Sequence, residues 1–286
     1  MRLIDVTLPF DHDLYLFGDD HEGALAQYEK GLNSMISEIE GNPLAYGIHH
    51  GDACETLAVD HPYYNPVTLK KNEDGNPSIP MEQVKVQADR YKPIAGKMIA
   101  WVKGNHERRA DKFFDMTREI CDRLERPEIY GGYICKITIR DPKGKVMYKT
   151  LAYHGRRIAE SRAGTEKQRQ ANRESSLMKI LAPLAGDCLI MSMGHTHRLM
   201  VSEPLNRLYL TDDGKHLKQG YIKSRQAADY IDPENRYYVN TGSFLRSQMI
   251  GLDTYAEIAG YAPVELGFAV AHFRDGKIQG IDKRVI

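Results

Sequence analysis

MIAWVKGNHE, residues 98 to 107, sets a glycine, an amide, an imidazole and a carboxylate directly behind an apolar run, with only Lys103 between them. The run reads as a buried strand, and Gly104 as the point where the chain turns at little steric cost. Four other segments repeat the arrangement: LYLFGDDH (14–21), LAYGIHHGD (44–52), TLAYHG (150–155) and CLIMSMGHTH (188–197). Open α/β sheets gather their ligands at the carboxyl ends of strands, so five such endings are expected to converge.

The side chains collected in this way are Asp19, His21, Asp52, Asn105, His154, His195 and His197. Two carboxylates, one amide oxygen and four imidazoles suit manganese, iron, nickel, cobalt or zinc, whereas magnesium or calcium would use oxygen ligands almost alone. Seven donors serve two ions better than one. If Asp52 is shared, each ion receives four protein ligands and keeps room for a hydroxide and a substrate oxygen. Taken singly the pieces are weaker, because Asp-x-His is common in loops and caps. GHTH behind an apolar strand says more, since burying two imidazoles without a ligand is costly.

The rest of the chain sets bounds. With 286 residues, 42% of them hydrophobic, it can bury a large core, and one domain spanning 1–286 is expected. Acidic and basic residues balance at 39 each, which excludes a whole-chain field for nucleic acid or an acidic membrane. Cys54, Cys121, Cys135 and Cys188 form no Cys-x-x-Cys pair and read as reduced, buried thiols. There is no leader-like apolar stretch at the N-terminus and no run near the roughly 20 residues that cross a bilayer, so a cytoplasmic location and no membrane partner are expected.

Alternating strand-like and helix-like segments give an α/β fold class. Residues 24–39 have helical spacing and should stop at Gly41, Asn42 and Pro43. Phe113, Phe114, Met116, Ile120 and Leu124 read as one core-facing helical stripe. Residues 56–82, rich in Pro, Asn, Asp and Gly, read as a surface excursion or lid. Segment 156–179 carries seven basic residues against three acidic ones, either a solvated helix or a basic strip that could meet substrate phosphates. Residues 266–286 read as a closing hairpin that turns at Asp275-Gly276.

Through DDH (19–21), GDACE (51–55), GNHE (104–107), HG (154–155) and GHTH (194–197), in that order, the sequence resembles the calcineurin-like metallophosphoesterase superfamily. Residues 245–265, including YAEIAGYAP, are similar to uncharacterised phage and bacterial members. The resemblance implies a four-layer α-β-β-α sandwich with the site at one edge of the sheets. It implies one metal on Asp19, His21, Asp52 and His197, and a second on Asp52, Asn105, His154 and His195. His106 would be the general acid, and Glu55 stands where the family often has an aspartate that orients that histidine.

The function expected is metal-dependent hydrolysis of phosphodiesters, of nucleotides or nucleic acid, by in-line attack of a hydroxide shared by two cations. Mn2+ is the first choice of metal, with Fe, Zn, Ni and Co as alternatives. Arg108, Arg156 and Arg198, each near a donor, could add charge stabilisation. The family's protein phosphatases usually carry an arginine directly after the residue at the place of Glu55, whereas Thr56 stands here. A phosphomonoesterase is the runner-up, and a non-catalytic scaffold on the same fold comes third. The sequence does not address oligomeric state.

Overall fold

The computed structural model describes all residues except 58, 62–63 and 223–225. β1 (Arg2–Thr7) and β2 (His12–Phe17) lead to α1 (Glu29–Gly41) and β3 (Ala45–His49). After a long loop come α2 (Pro80–Tyr91), β4 (Met98–Val102), α3 (Met116–Arg123), β5 (Tyr130–Gly132), β6 (Ile134–Arg140) and β7 (Val146–Tyr153). The chain continues through α4 (Glu166–Leu181), β8 (Ile190–Met193), β9 (Leu199–Ser202), the ribbon β10 (Leu208–Asp212) and β11 (Leu217–Tyr221), then β12 (Tyr237–Thr241). The short α5 (Tyr255–Ile258), β13 (Gly267–Arg274) and β14 (Lys277–Val285) complete it.

Two six-stranded sheets result, in the orders β14-β13-β2-β3-β4-β5 and β1-β6-β7-β8-β12-β9. β2, β3 and β4 run parallel, as do β7, β8 and β12, so their carboxyl ends gather on one side of each sheet. Strands covered on both faces read as continuous apolar runs. In β2, Leu14 and Leu16 join the cluster between the sheets, with Ile48, Val102, Ile137, Ile190 and Val239. Tyr15 and Phe17 point the other way, into a cluster with Leu32 and Ile36 of α1, Tyr91 of α2 and Ile120 of α3. On the far side, Leu177 and Leu181 of α4 pack on Leu151, Met191 and Tyr238. The layers are therefore helices, sheet, sheet, helix, and the expected α-β-β-α sandwich is the observed fold.

Several local expectations shift. The first helix starts at Glu29 rather than near residue 24, because the backbone ahead of it is used elsewhere. The Leu25 N–H donates to Thr68 O at 2.9 Å and the Tyr28 N–H to Phe244 O at 2.6 Å, which fixes residues 22–28 as a loop. Phe113 is 77% exposed and lies ahead of α3, so it falls out of the predicted stripe, whereas Phe114, Met116, Ile120 and Leu124 pack on the core. Of the predicted excursion, residues 58 and 62–63 lie outside the described residues. Its Leu69 is buried and forms a bridge with Ala24. β13 and β14 pair antiparallel about Asp275 (φ 51°) and Gly276 (φ 70°), the left-handed pair that a tight hairpin turn needs. All four cysteines are free and buried, and among the described residues no helix is long and apolar enough to cross a membrane.

His12 links the two sheets. Its Nδ1 lies 2.8 Å from Pro9 O and its Nε2 2.8 Å from the Tyr148 hydroxyl, with the ring stacked on Phe273. If Nδ1–H donates to the carbonyl, Nε2 accepts from the hydroxyl and the ring is neutral. Burial lowers its pKa below the ordinary 6.5. A histidine with a depressed folded pKa contributes stability that is full above about pH 6.5 and is lost as pH falls. His12→Phe should therefore cost about 1–3 kcal/mol at pH 7.5 by leaving the buried Tyr148 hydroxyl unpaired and the Pro9 carbonyl without its donor, and the gap to wild type should narrow toward pH 5. Denaturant unfolding at both pH values checks this; a gap independent of pH would show that His12 titrates alike in folded and unfolded chains.

Candidate metal centre

The loops after β2, β3, β4, β7 and β8 carry the seven donors, and they meet. Asp19, His21 and His197 form one cluster, and Asp52, His154 and His195 a second; Asp52 also lies with His21 and His106, which places it between the two. The Asn105 Oδ1 sits 2.8 Å from His154 Nε2 and 2.7 Å from His195 Nδ1, so the amide belongs with the second cluster.

The backbone here is unusual. Among the described residues eight non-glycine residues have positive φ, and five of them are Asp19, His21, Asp52, His195 and His197, at 51° to 70°. Left-handed conformations in side-chain-bearing residues are uncommon and collect where the surroundings enforce them. Gly104 is required by close approach: a Cβ there would lie 2.1 Å from Asp52 Oδ1 and 2.2 Å from Asp52 N. That contact brings the loops after β3 and β4 together.

The donors fit a pair of divalent cations. His21 Nε2 faces His197 Nε2 at 3.1 Å, and His195 Nδ1 faces His154 Nε2 at 3.2 Å. Two donors bound to one ion at about 2.1 Å and at right angles would stand about 3.0 Å apart. Asp19 Oδ1 is buried with no hydrogen-bond partner, a costly state that a cation would relieve. Other contacts hold the imidazoles in a ligating tautomer: Glu55 Oε2 lies 2.7 Å from His21 Nδ1 and the His50 carbonyl 2.8 Å from His154 Nδ1, leaving each Nε2 for an ion.

The electrostatics point the same way. Burial alone would lower the His154 and His21 pKa values, but Asp52 lifts His154 to about 10 and Glu55 lifts His21 to about 9. Burial would raise Asp52 and Asp19, but His154 and His106 hold Asp52 well below the carboxylate range, and His197 holds Asp19 down. His21 and His154 thus draw positive charge, as protons when no cation is bound, whereas burial and the neighbouring His154 lower the pKa of His195.

Around the donors the sequence reading and the structure part in places. The Glu55 carboxylate is closer to His21 than to His106, whose Nδ1 stands 3.7 Å from it and 2.7 Å from the Glu55 backbone carbonyl. Of the three arginines named from sequence, Arg108 and Arg156 are exposed and Arg198 pairs with Glu160 at 2.8 Å. Arg109 is the arginine at the centre: its guanidinium lies 3.0 and 3.1 Å from the two ring nitrogens of His106 and donates to Glu55 O at 3.0 Å. The signal for it was its place three residues after His106 in a helical turn. His50, next to the Gly51-Asp52 turn, is a satisfied core histidine bonded to Ser192 Oγ at 2.7 Å. Burial lowers His106 to about 4, against the pull of Asp52 and Glu55.

No family model matches this chain, and no curated protein matches it. Solved structures do. A predicted phosphoesterase of Streptococcus pneumoniae TIGR4 aligns over 96% of this chain and 98% of its own at 11% identity, TM-score 0.32. Vps29 of Chaetomium thermophilum aligns over 95% and 96% at 11% identity, TM-score 0.38. A metallophosphoesterase of Sphaerobacter thermophilus aligns over 96% and 89% at 14% identity, TM-score 0.36. The case for an activity rests on the site itself.

Glu107 fixes the loops that carry Asp52 and Asn105, accepting backbone N–H groups from Asp52 (3.1 Å), Cys54 (3.0 Å) and Gly104 (2.8 Å). A glutamine would set an amide NH2 against one of these donors. Glu107→Gln should weaken Mn2+ binding to the metal-free protein by about 10–100-fold while the chain stays folded. Calorimetric titration with Mn2+ measures this, and unchanged affinity would show that the carboxylate does not position the donors.

Proposed function

We propose that this chain is a metal-dependent phosphoesterase that hydrolyses phosphodiester bonds, with nucleotides or nucleic acid as the substrate class. The observation that carries the reading is the convergence of seven donors from five strand ends into two clusters that meet at Asp52. The donors match, position by position, the pattern of the calcineurin-like metallophosphoesterases that the sequence resembles. Asp19, His21, Asp52 and His197 would hold one cation, and Asp52, Asn105, His154 and His195 the other, with Mn2+ first among the candidates and Fe, Zn, Ni and Co behind it. Bound cations supply an activated water at neutral pH and neutralise phosphoryl oxygens.

The protein's own part is positioning and proton transfer. His106 is positioned by its backbone N–H to Asp52 Oδ1 (2.8 Å) and by its Nδ1 contact with Glu55 O; its Nε2, which lies 3.1 Å from an Arg109 guanidinium nitrogen, would serve the leaving group once that contact opens. Burial keeps this ring neutral in the free chain, and the negative charge of a bound phosphoester favours its protonation. Arg109 places a guanidinium beside the same ring, where charge builds on the departing oxygen.

Thr56 supports a diester. It is buried, its φ is 51°, and its hydroxyl lies 3.4 Å from Cys54 O, so the position after Glu55 supplies no cation for a dianion. Arg109 favours the runner-up, a phosphomonoesterase, because it offers positive charge from another position.

The test is metal-reconstituted turnover of bis-nitrophenyl phosphate against nitrophenyl phosphate, each with and without chelator. Chelator-sensitive turnover with higher kcat/KM on the diester is expected. Turnover of the monoester alone would install the runner-up, and no metal-dependent turnover would remove the enzyme reading. His106→Ala should lower kcat about 10²–10⁴-fold on alkyl esters and much less on nitrophenyl esters, whose leaving group needs little protonation. Equal losses on both would assign His106 to phosphate binding.

A further inference from the structure

A cavity of about 530 Å3 opens beside the loop that follows His21, and none of the metal donors lines it. Its size falls within the roughly 300–1,000 Å3 of small-molecule sites. Lys30, Lys70, Lys71 and Arg246 line it against one carboxylate, Glu29. Lys70 is already committed: it pairs with Glu22 at 3.0 Å and with Glu29, while Arg90 also pairs with Glu22. Lys30 and Lys71 are exposed and form no ion pair among the described residues, so their charge is free to meet a ligand anion.

The cavity also has a planar wall. The Arg246 guanidinium lies 4.5 Å from the centroid of the Tyr28 ring. The pair is held by its backbone, for the Arg246 N–H donates to Ala26 O at 3.0 Å and the Tyr28 N–H to Phe244 O at 2.6 Å. Aromatic rings and guanidinium planes are the surfaces on which nucleobases stack, and lysines beside them take phosphate.

We propose that this cavity is a nucleoside-phosphate subsite, in which Lys30 and Lys71 hold a phosphate and the Tyr28–Arg246 pair stacks the base. It rests on the phosphoesterase reading only for its use, which is to hold the nucleotide portion of a substrate whose scissile group lies at the metal centre. The chain constrains the spacing. Seven steps along the backbone separate His21 from Tyr28, so the two are no more than roughly 25 Å apart, within reach of a short strand. Gln27 ties the two regions together by donating to Asp20 O at 2.8 Å.

Nucleoside phosphate could arrive as a mononucleotide or as a residue of a single strand. The experiment uses the full chain after chelation, so that the metal centre does not contribute, and titrates it calorimetrically with AMP, inorganic phosphate and a short single-stranded oligodeoxynucleotide. AMP should bind at least about tenfold more tightly than phosphate, the worth of one base stack. Arg246→Ala and the double variant Lys30→Ala/Lys71→Ala should each weaken AMP by about tenfold or more. Arg246→Lys keeps the charge and loses the plane, so it should retain phosphate binding and lose the preference for AMP. The oligonucleotide binding more tightly than AMP assigns the subsite to a strand, and the reverse assigns it to a mononucleotide. AMP binding that is absent, or unchanged in these variants, would overturn the subsite. Turnover of bis-nitrophenyl phosphate by the unaltered chain, with and without chelator, reports separately on the phosphoesterase reading.

Discussion

One buried carboxylate holds the centre in shape. Glu107, 1% exposed, collects the N–H groups of Asp52, Cys54 and Gly104, joining the loop after β3 to the loop after β4. Hydrogen bonds to a charged group contribute about 1.5–3 kcal/mol each, and three buried donors without an acceptor would cost comparable amounts. The arrangement carries its own tension, since burial and the nearby Asp52 charge push the Glu107 pKa up. A cation in the cluster would offset that repulsion, so the group that shapes the centre is itself stabilised when the centre is filled.

The left-handed donors need a comparable frame, because each such residue costs of order 1–3 kcal/mol. The frame lies beneath them. The Asp19 carbonyl accepts from Phe244 N–H at 3.1 Å and from Ser243 Oγ at 3.0 Å, while its N–H donates to Gly51 O at 2.9 Å. Next in sequence, the buried Asp20 carboxylate takes the Tyr91 hydroxyl at 2.8 Å, meets His49 Nε2 at 3.1 Å, and accepts from Gln87. Tyr91 and Gln87 belong to α2, a helix with no metal donor. Its place against β2 and β3 nonetheless fixes the Asp19-Asp20-His21 turn, which is how packing on one side of a sheet reaches chemistry at its edge.

This division explains what could be read from sequence. Strands that end in glycine and a ligand are a local pattern, so the strand ends bearing Asp19, Asp52, Asn105, His154 and His195 were legible as a set of endings, and these strands run parallel to one another within each of two mixed sheets. The residues that act across the fold left no local trace. Arg109 differs from Arg108 by one step of a helical turn, which decides which guanidinium meets His106. Glu55 lies within reach of two imidazoles, and only the folded loops show its carboxylate turned to His21. The early helix prediction failed for the same reason: the spacing of Leu25 and Tyr28 is helical, but Thr68 and Phe244, far away in sequence, accept their N–H groups. The ribbon of β10 and β11, whose side chains are nearly all exposed, has no buried face to write a period into the sequence.

Charge is distributed in a way that bears on phosphate binding. In the basic segment after His154, Arg169 and Arg173 both pair with Glu166, and Glu160 is occupied by Arg198, while Arg156, Arg157, Arg162, Lys167 and Lys179 form no ion pair among the described residues. Surface pairs of this kind contribute little stability, yet they cancel field that would otherwise draw a polyanion. Close to the site residues, Arg156 and Arg157 just past the donor His154, and Lys30 and Lys71 beside Tyr28, form no ion pair among the described residues. Charges separated by more than a Debye length, about 10 Å at 0.1 M salt, act independently. A nucleotide or short strand that engages the cationic pocket and the metal centre together would meet Lys30 and Lys71 at one end and the cluster of donors at the other. The neutrality of the whole chain is therefore compatible with a phosphate ligand that binds at local cationic positions.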